Sequence, residues 1–414
     1  MQSIRIIVGI DWGSVEHYVC ALDPGGHVLK EHRVPHSGEG LGALTDWLTE
    51  ISGHCLEAVQ VAIEVPHGPI VETLLDRGCQ VFSINPKQLD RFRDRFSVAG
   101  AKDDRRDARV LADALRTDPH CFRHLKLEGP AMLQLREWSR IHDEITQERL
   151  QEANRLRAQL QRYYPQFLTL SNDLTCQWVL DLWRHFPSPS SSSSKASAAT
   201  IAKILKKHRV RRMKTPEVLT ILRNRPITVA PGAAEASIDH IRLIVDRLEL
   251  LNRQMHHCDS QIDKLVADHA AEATDNEEHT CEQRDIAILQ SLPGVGRVVL
   301  ATLLAEAPQA VRSRDYQALR ALSGSAPVTI QSGKLRRVIR RRACHTRIAR
   351  ACYHWARVAM QRDPKFRDIY RRSRLSGASH GRALRAIADR LLAVACSMLR
   401  HGTFYDPAYI RKKA

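Results

Sequence analysis

The chain has 414 residues, a formal net charge of +17 and a hydrophobic content of 43%, which supports two or three domains with buried cores and excludes a disordered chain. Its first apolar stretch, Ile4–Ile10, is short and ends in Asp11, and no run of about 18 apolar residues follows, so we expect neither a signal peptide nor a membrane-spanning helix. The ten cysteines are widely spaced and form no CxxC pair, which excludes the common zinc patterns and favours a reducing, cytoplasmic compartment.

The first 120 residues predict alternating strands and helices. Three strands come first, in IRIIVGID, HYVCALD and HVLKEHRV, with Pro24-Gly25-Gly26 as a hairpin turn. A helix near Leu41–Ile51, the strand AVQVAIEV, a helix from Pro69 to about Arg77, the strand CQVFSI and a helix after Asn85-Pro86 follow. The segment AKDDRRDARVLADAL is the last helix, so the predicted order is β-β-β-α-β-α-β-α followed by this second consecutive helix, which is typical of an α/β fold.

The middle of the chain predicts long helices that pair with a partner helix. Apolar residues alternate three and four apart over 241–265, as in a heptad repeat, and a shorter pattern of the same kind covers 153–167. These helices form a coiled coil either with each other, antiparallel, or between subunits. Five consecutive serines at Ser190–Ser194 predict a flexible linker near 187–198, and the following KILKKHRVRRMK is either a basic helix or a solvated loop.

The excess positive charge lies in the last third of the chain. From Ile286 to the C-terminus there are 26 Lys and Arg against 6 Asp and Glu. A localised excess of this size indicates a polyanionic partner, with nucleic acid as the first choice and a solvated arginine-rich surface as the alternative. The region predicts helices as far as about Leu399, with a break near Ser323–Gly333.

Two short segments of this basic region are candidates for contact with phosphates. LPGVG at 292–296 predicts a helix-hairpin-helix turn, in which Gly294 and Gly296 let the backbone approach a phosphate; an ordinary turn between helices is the alternative. A dense cluster of cations further on is expected to bind nucleic acid: Lys334, Arg336, Arg337, Arg340, Arg341 and Arg342.

A serine precedes this cluster. Ser332 lies between Gln331 and Gly333, and the glycine gives its hydroxyl room to meet a bulky phosphodiester. A serine hydroxyl needs activation before it attacks phosphorus, and His345 is a candidate helper, although a structural or surface role suits that histidine better. Chemistry alone therefore makes Ser332 only a weak candidate for a nucleophile.

Four carboxylates of the first domain come from three elements that could converge on one point. Asp11 ends the first strand, Glu64 ends the fourth, and Asp104 and Asp107 share one face of the last helix. Such a cluster repels itself unless cations bind, and Mg²⁺ is the usual cation beside phosphates; a pair of ions would stabilise both oxygens of a phosphoryl displacement. Taken singly, each carboxylate is better explained as a cap, a turn residue or a surface charge, but taken together, in this order of elements, the four indicate a metal site.

Two further aspartates stand in the same helix. Asp103 also shares a face with Asp107, so spacing alone does not decide which of Asp103 and Asp104 binds metal. Asp113 lies beyond easy reach of the cluster and is expected at the surface.

The motifs resemble one family in order and across both ends of the chain. GIDWGSVEHYVCALD, IEVPHGPIVETLLDRGCQVFSINPKQLDRFRDRF and KDDRRDARVLADAL are similar to the RuvC-like domain of the DEDD transposases of the bacterial IS110 and IS-eleven-eleven insertion sequences. LPGVGRVVLATLLAEA, ALRALSGSAPVTIQSGK, RRACHTRIARACYHWAR, DPKFRDIYRR and ALRAIADRLLAVACSML are similar to the C-terminal transposase domain of that family.

The resemblance implies a mechanism and partners. It assigns metal binding to Asp11, Glu64, Asp104 and Asp107, with two Mg²⁺ ions or Mn²⁺ as a substitute, and a nucleophile that becomes a phosphoserine to Ser332. It implies recombination of element ends with target DNA, guided by a structured bridge RNA, in homodimers that assemble into tetramers in a bacterial cytoplasm. The family often has Lys-Thr-Asp where this chain has Lys102-Asp103-Asp104, and the middle region with its serine run is longer than usual.

The resulting fold prediction has three parts. Residues 1–125 form an α/β RNase H-like (RuvC-like) domain that binds metal, and residues 126–285 form a helical coiled-coil region. Residues 286–405 form a mainly α C-terminal domain with a helix-hairpin-helix-like element and the candidate serine.

Three other functions fit parts of the sequence. A structure-specific nuclease such as a junction resolvase would use metal-activated water and would not need the region after Ile286. A non-enzymatic nucleic-acid-binding protein would not need the full set of four carboxylates. An actin-like ATPase or sugar kinase would explain the Asp-x-Gly of GIDWGS, but the later phosphate and adenosine loops of those proteins do not follow.

Overall fold

The computed structural model describes residues 5–95, 103–126, 129–189, 197–230, 232–271, 277–333 and 335–408. The chain divides into two compact units, Met1–Gly129 and Pro130–Ala414. Among the described residues, none of the helices has the length and apolar content to cross a membrane.

The described part of the first unit combines a sheet with four α-helices. Its strands are β1 (Ile6–Asp11), β2 (Glu16–Leu22), β3 (Val28–Pro35), β4 (Val59–Ile63), β5 (Gln80–Ser83) and β6 (Arg123–His124). Its helices are α1 (Gly38–Ile51), α2 (Pro69–Asp76), α3 (Pro86–Arg93) and α4 (Asp104–Thr117). The predicted order of strands and helices is therefore present, and the short β6 is an addition that the sequence did not predict. Helix α1 begins earlier than predicted because the Ser37 hydroxyl accepts a hydrogen bond from the Gly40 N–H (3.1 Å) and caps the helix there.

The six strands lie in the order β3-β2-β1-β4-β5-β6. β1 is parallel to β4 and β4 to β5, whereas β2, β3 and β6 are antiparallel to their neighbours. The carboxyl ends of the three parallel strands therefore meet at one edge, where α/β sheets usually carry their sites.

The two faces of the sheet have separate cores. Ile6, Val8 and Ile10 of β1 pack in a cluster with α1 and α2, whereas Ile7 belongs to a second cluster with α3 and α4. Because side chains alternate along a strand, Gly9 and Asp11 also lie on the face that α4 covers. The same alternation places Glu64, two residues after the buried Ala62, on this face.

Within its described residues, the second unit is helical apart from one hairpin. Its helices are α5 (Pro130–Tyr163), α6 (Gln177–His185), α7 (Ala198–Lys207), α8 (Thr215–Arg223), α9 (Ala233–Ala271), α10 (Glu277–Ser291), α11 (Arg297–Glu306), α12 (Pro308–Arg312), α13 (Tyr316–Leu322), α14 (Thr346–Arg362), α15 (Pro364–Leu375) and α16 (His380–His401). The strands β7 (Val328–Ser332) and β8 (Leu335–Ile339) pair antiparallel. The break predicted near 323–333 is thus the first half of a β-hairpin, and the mainly helical prediction for this region missed it.

Helices α5 and α9 pack antiparallel within the chain. The Cys258 thiol contacts the Trp138 carbonyl (3.2 Å), and Arg247 pairs with Glu152 (3.2 Å), so the two helices run in opposite directions. All eight apolar residues that alternate over 241–265 are buried: Ile241, Ile244, Leu248, Leu251, Met255, Cys258, Ile262 and Leu265. One end of the pair belongs to a core with α6, α7 and α8, and the other end to a core with α10 to α16. Residues 190–196 of the predicted serine-rich linker lie outside the described part of the chain.

Candidate catalytic site

Asp11 and Glu64 follow matched positions on neighbouring strands. Ile10 of β1 is paired with Ile63 of β4 in parallel register, so the next residue on each strand reaches the carboxyl edge at the same level. Neighbouring strands lie about 4.8 Å apart. Both carboxylates are half-buried and lie on the face covered by α4.

Helix α4 brings its acidic first turn to the same face through a close approach to β1. A Cβ atom on Gly9 would lie only 1.9 Å from the Ala108 carbonyl oxygen and 2.5 Å from the Ala112 nitrogen, so only glycine fits under the helix. Asp107, adjacent to Ala108, is 1% exposed. The absence of a side chain at Gly9 therefore sets the depth at which Asp107 lies against the sheet.

The two candidate residues at the start of α4 have different surroundings. Asp103 is the N-cap, and its carboxylate accepts a hydrogen bond from the Arg105 N–H (3.3 Å). Asp104 is the first residue of the helix and is exposed, so its side chain has no such capping role. Asp113 lies further along α4 and pairs with Arg116 (2.6 Å), in keeping with the predicted position away from the cluster.

An arginine lies among the carboxylates. The Arg93 guanidinium, at the end of α3, donates to both oxygens of Asp107, from Nε to Oδ1 (2.7 Å) and from Nη2 to Oδ2 (2.9 Å). Its Nη2 is also 3.6 Å from the Glu64 Oε2 atom, and its Nη1 is 2.5 Å from the Asp90 Oδ1 atom. Burial acts against the charge of Arg93, but the hydrogen bond and the charge of Asp107 outweigh it and raise the pKa of the guanidinium.

Glu64 and Asp107 therefore both lie within ion-pair distance of the Arg93 guanidinium. Carboxylate oxygens are suitable ligands for Mg²⁺. Across the described ranges, however, no three Asp, Glu, His or Cys side chains are grouped closely enough to hold one ion. The donor chemistry fits a hard divalent ion, whereas the present arrangement commits two of the four candidate ligands to a guanidinium.

A pair of histidines that the sequence analysis missed supports the turn after Asp11. His17 is fully buried, its Nδ1 accepts a hydrogen bond from the Gly13 N–H (3.3 Å), and its Nε2 lies 2.9 Å from the His36 Nδ1. Burial, followed by the proximity of His36, lowers the pKa of His17. His17 lies in β2, whereas His36 directly follows β3 and is 19 positions away, so no local pattern marks the pair.

Ser332 lies at the exposed tip of the β7–β8 hairpin. It is the last residue of β7 and is paired with Leu335, and Gly333 after it has a φ of +55°. Cross-strand partners share a face, so Ser332 lies on the same side of the hairpin as Ile330 and Arg337, while Arg336, opposite Gln331, lies on the other side. Ile330 and Leu335 remain 50% and 52% exposed, so this face is open to solvent in the chain described here.

The cations predicted to bind nucleic acid are spread over this hairpin and the segment after it. Arg336, Arg337, Arg340 and Arg342 are exposed, and the Arg341 Nε donates to the Ala326 carbonyl (3.4 Å); Lys334 lies outside the described residues. Arg385, which the sequence analysis did not select, has a pKa lowered by burial and by the charges of Arg340 and Arg382. Cations that crowd one another in this way favour an anion between them.

The remaining candidates have structural contacts. Gly294 (φ +85°) lies under α14, where a Cβ would be 2.8 Å from the Ala359 nitrogen, and the Trp355 indole donates to the Pro293 carbonyl (3.0 Å). This glycine thus has a packing role, while Gly296 is exposed at the N-cap of α11. The His345 Nε2 lies 3.5 Å from the Glu306 Oε2 atom.

Comparison with known proteins identifies the class. A DEDD transposase model of the IS110 type matches residues 8–165, and a model described as the transposase IS116/IS110/IS902 family matches residues 286–371. A sheet with acidic residues at its carboxyl edge and a basic helical unit, matched by these two models, defines a DEDD-type transposase. The domain family suggests that divalent metal is required.

Individual relatives extend the match over the chain. The mini-circle IS117 protein of Streptomyces coelicolor, named as a transposase, is 32% identical over 398 residues, covering 94% of this chain and 93% of that protein. The y4uE protein of Sinorhizobium fredii, also named as a transposase, is 48% identical over 251 residues, covering 60% of this chain and 66% of that protein. An IS900 protein of Mycobacterium paratuberculosis is 26% identical over 414 residues. The chain belongs to the IS110 family of insertion-sequence transposases, and the predicted resemblance is confirmed.

Proposed function

We propose that this protein recombines DNA: it cuts the ends of its insertion sequence and joins them to a target. Family membership supports this function, and the observation that carries it is the placement of Asp11, Glu64 and Asp107 on one face and one edge of an RNase H-like (RuvC-like) sheet. Residues 1–125 would be the metal-binding domain, 126–285 the helical middle and 286–405 the serine-bearing domain.

The four carboxylates Asp11, Glu64, Asp104 and Asp107 would hold two Mg²⁺ ions, with Mn²⁺ as a substitute. Divalent ions in such a site stabilise the charge that develops on the oxygens around the phosphorus. Asp104 suits the role of the fourth ligand better than Asp103 does, because the Asp103 carboxylate already caps α4. Arg93 must leave Glu64 and Asp107 before these residues can act as ligands together.

Ser332 would be the nucleophile. Its hydroxyl oxygen would bond to phosphorus as the bond from phosphorus to one DNA oxygen breaks, and the serine proton would pass to that departing oxygen, so the products are a phosphoserine joined to one DNA end and a free DNA hydroxyl. Exposure at a hairpin tip gives the hydroxyl access to a phosphodiester, and Arg337 on the same face supplies a cation for its oxygens. The pairing of β7 with β8, both in the second unit, is what places Ser332 at this position.

Two further partners follow from the resemblance. A structured bridge RNA would choose the donor and target DNA by base pairing, while the exposed arginines would hold phosphates. A homodimer or tetramer would bring the serine of one subunit to the carboxylates of another, and the open apolar face of the β7–β8 hairpin is consistent with such an assembly.

A covalent-trapping assay tests the proposal. The protein is mixed with Mg²⁺, the RNA from the flanking region of its own element and labelled element-end DNA, and the products are separated on a denaturing gel. We expect a labelled protein adduct that is lost in Ser332→Ala and in Asp11→Ala. Thr329→Ala is the matched control, because Thr329 is an exposed hydroxyl residue on the opposite face of the same hairpin.

The assay also separates the proposal from its main alternative. An adduct that persists in Ser332→Ala would exclude this serine as the nucleophile. Cleaved DNA without any adduct would instead favour a structure-specific nuclease that uses metal-activated water.

A further inference from the structure

The segment 197–230, which we term the basic module, is strongly cationic. It contains four lysines and five arginines against a single acidic residue, Glu217, and it has no Phe, Tyr or Trp. The Glu217 carboxylate accepts a hydrogen bond from the Lys214 N–H (3.0 Å) at the start of α8, so it serves the helix end. The basic module therefore has almost no internal counter-charge.

Three residues of the basic module attach it to the rest of the unit. The Lys207 Nζ lies 2.8 Å from the Asp181 Oδ2 of α6, and the His208 Nε2 lies 2.7 Å from the same oxygen. The Arg212 guanidinium lies over the Trp178 ring, 5.5 Å from its centroid. These contacts and the buried side chains of α7 and α8 hold the module in place.

Four other cations of the module point away from its core. Lys203, Lys206, Arg209 and Arg211 are exposed, whereas Ile201, Ile204 and Leu205 on the other side of α7 are buried. Within the described part of the chain, none of these four cations forms an ion pair with a carboxylate. Lys203 and Lys206 are three apart and so are neighbours on the helix surface.

The backbone at Arg209 is strained. Helix α7 ends with hydrogen bonds from the Val210 N–H to the Leu205 carbonyl (2.9 Å) and from the Arg209 N–H to the Lys206 carbonyl (3.1 Å), and Arg209 has a φ of +52°. Glycine is the usual residue at this position of a helix end, because it has no Cβ to clash. A residue kept in a strained conformation is a reason to look for a role outside folding.

A second arginine with the same backbone conformation provides the contrast. Arg314 has a φ of +53°, and its guanidinium is bound to the buried Asp285 (2.7 Å), which explains why an arginine stands there. Arg209 has no carboxylate partner of this kind among the described residues. Its guanidinium is exposed and so is accessible to a ligand outside the chain.

The basic module lies far from the arginine cluster of the C-terminal region. Helix α5 has 34 residues, which corresponds to a length of about 50 Å. Its N-terminal part contacts α11, where the Arg136 Nε donates to the Ala305 carbonyl (3.0 Å), whereas its C-terminal end belongs to the core that supports the module. The stretch of α5 from Arg136 to Leu160 spans about 24 residues, or about 36 Å, which corresponds to roughly ten base pairs along a duplex.

We propose that the basic module binds the phosphate backbone of double-stranded DNA at a distance from the reacting phosphodiester. The partner is a duplex because the module has no aromatic side chain on which unpaired bases could stack. That the duplex is DNA rests on the proposed function. The contacts are made by Lys203, Lys206, Arg209 and Arg211, and they do not read sequence.

Fluorescence anisotropy of the full chain with a labelled duplex of about 40 base pairs, over a range of salt concentrations, tests this surface. The solution contains EDTA, so the result does not depend on cleavage or on Ser332. In the double variant Lys203→Glu/Lys206→Glu, we expect affinity to fall about tenfold and the slope of log K against log salt to become shallower by about 2. The control is Arg253→Glu/Lys264→Glu, which changes the net charge equally at exposed positions on α9.

A second variant separates binding from folding. Arg209→Gly relieves the backbone strain, so we expect the urea midpoint of the full chain to rise or stay unchanged while DNA affinity falls about threefold. A lower midpoint, or full DNA affinity, would overturn the assignment of Arg209 to the DNA.

The remaining outcomes are equally decisive. Equal losses of affinity in the double variant and its control would mean that overall charge, not this surface, governs binding. A loss confined to an RNA duplex of the same length would overturn the choice of DNA.

Discussion

Replacing Gly9 with alanine tests the close packing that positions the face with the candidate catalytic carboxylates. The added Cβ would lie 1.9 Å from the Ala108 carbonyl oxygen, whereas a normal contact between carbon and oxygen is about 3.3 Å, so α4 must move by about 1.4 Å. The obstructing atoms belong to the helix backbone and have no alternative rotamer. Overpacking of this kind costs about 3 kcal/mol, and a displacement of about 1 Å of Asp107 reduces catalysis about 100-fold.

The assay combines urea unfolding, followed by circular dichroism, with DNA cleavage by the folded protein. Gly42→Ala is the matched control, because Gly42 lies within α1 with no atom in contact range of its Cβ; it should be neutral or stabilise by about 0.5–1 kcal/mol. An unchanged unfolding midpoint together with full activity in Gly9→Ala would refute the close approach of α4 to β1.

Three further predictions concern other parts of the chain. Arg93→Gln removes the cation that binds Glu64 and Asp107, so calorimetry should give roughly tenfold tighter binding of Mn²⁺ than in the wild type, and weaker binding would contradict the competition. Trp355→Ala removes a fully buried side chain and its hydrogen bond to the Pro293 carbonyl, so the free energy of unfolding should fall by about 4 kcal/mol in urea titrations; a loss below about 1 kcal/mol would contradict the packing around the LPGVG turn. Burial, as the largest cause, lowers the pKa values of His17, His32, His142 and His354, so these side chains bind protons more readily in the unfolded chain. The stabilisation that these neutral side chains contribute is fully present above their pKa in the unfolded chain, about 6.5, and is lost as the pH falls below it. The free energy of unfolding of His17→Gln should therefore fall less between pH 7 and pH 5.5 than that of the wild type.

The sheet and the position of its carboxylates were predictable because the signals are local. The strands of the first unit are β-branched runs bounded by turn residues, and a parallel pair brings the residues after Ile10 and Ile63 to the same edge by geometry alone. The buried face of α9 was predictable for a similar reason, because its heptad pattern of apolar residues continues without interruption over 241–265.

The hairpin that bears Ser332 was not predictable in the same way. In β7, Val328 and Ile330 alternate with Thr329 and Gln331, but this pattern is only four residues long, and β8 breaks it with Arg336-Arg337 followed by Val338-Ile339. The pairing itself, rather than burial, makes these residues extended.

Contacts between distant residues account for the rest of the site. Arg93 is 14 positions from Asp107, and the pairing exists only because α3 and α4 cover the same face of the sheet. The crowding of Arg385 by Arg340 likewise joins residues from the hairpin region and α16, which no spacing rule connects.

The division of the second unit into two cores has a consequence for how the chain folds as it is synthesised. The core around α6, α7 and α8 uses residues from Leu156 to Leu248 only, so it can close as soon as that stretch has left the ribosome. The other core joins Met132 and Leu135 to Leu399, and must therefore wait until translation is almost complete. The first half of α5 can pair with α9 as soon as that helix has emerged, but the side that contacts α11 and α14 must wait for the C-terminal third and remains accessible to chaperones until then.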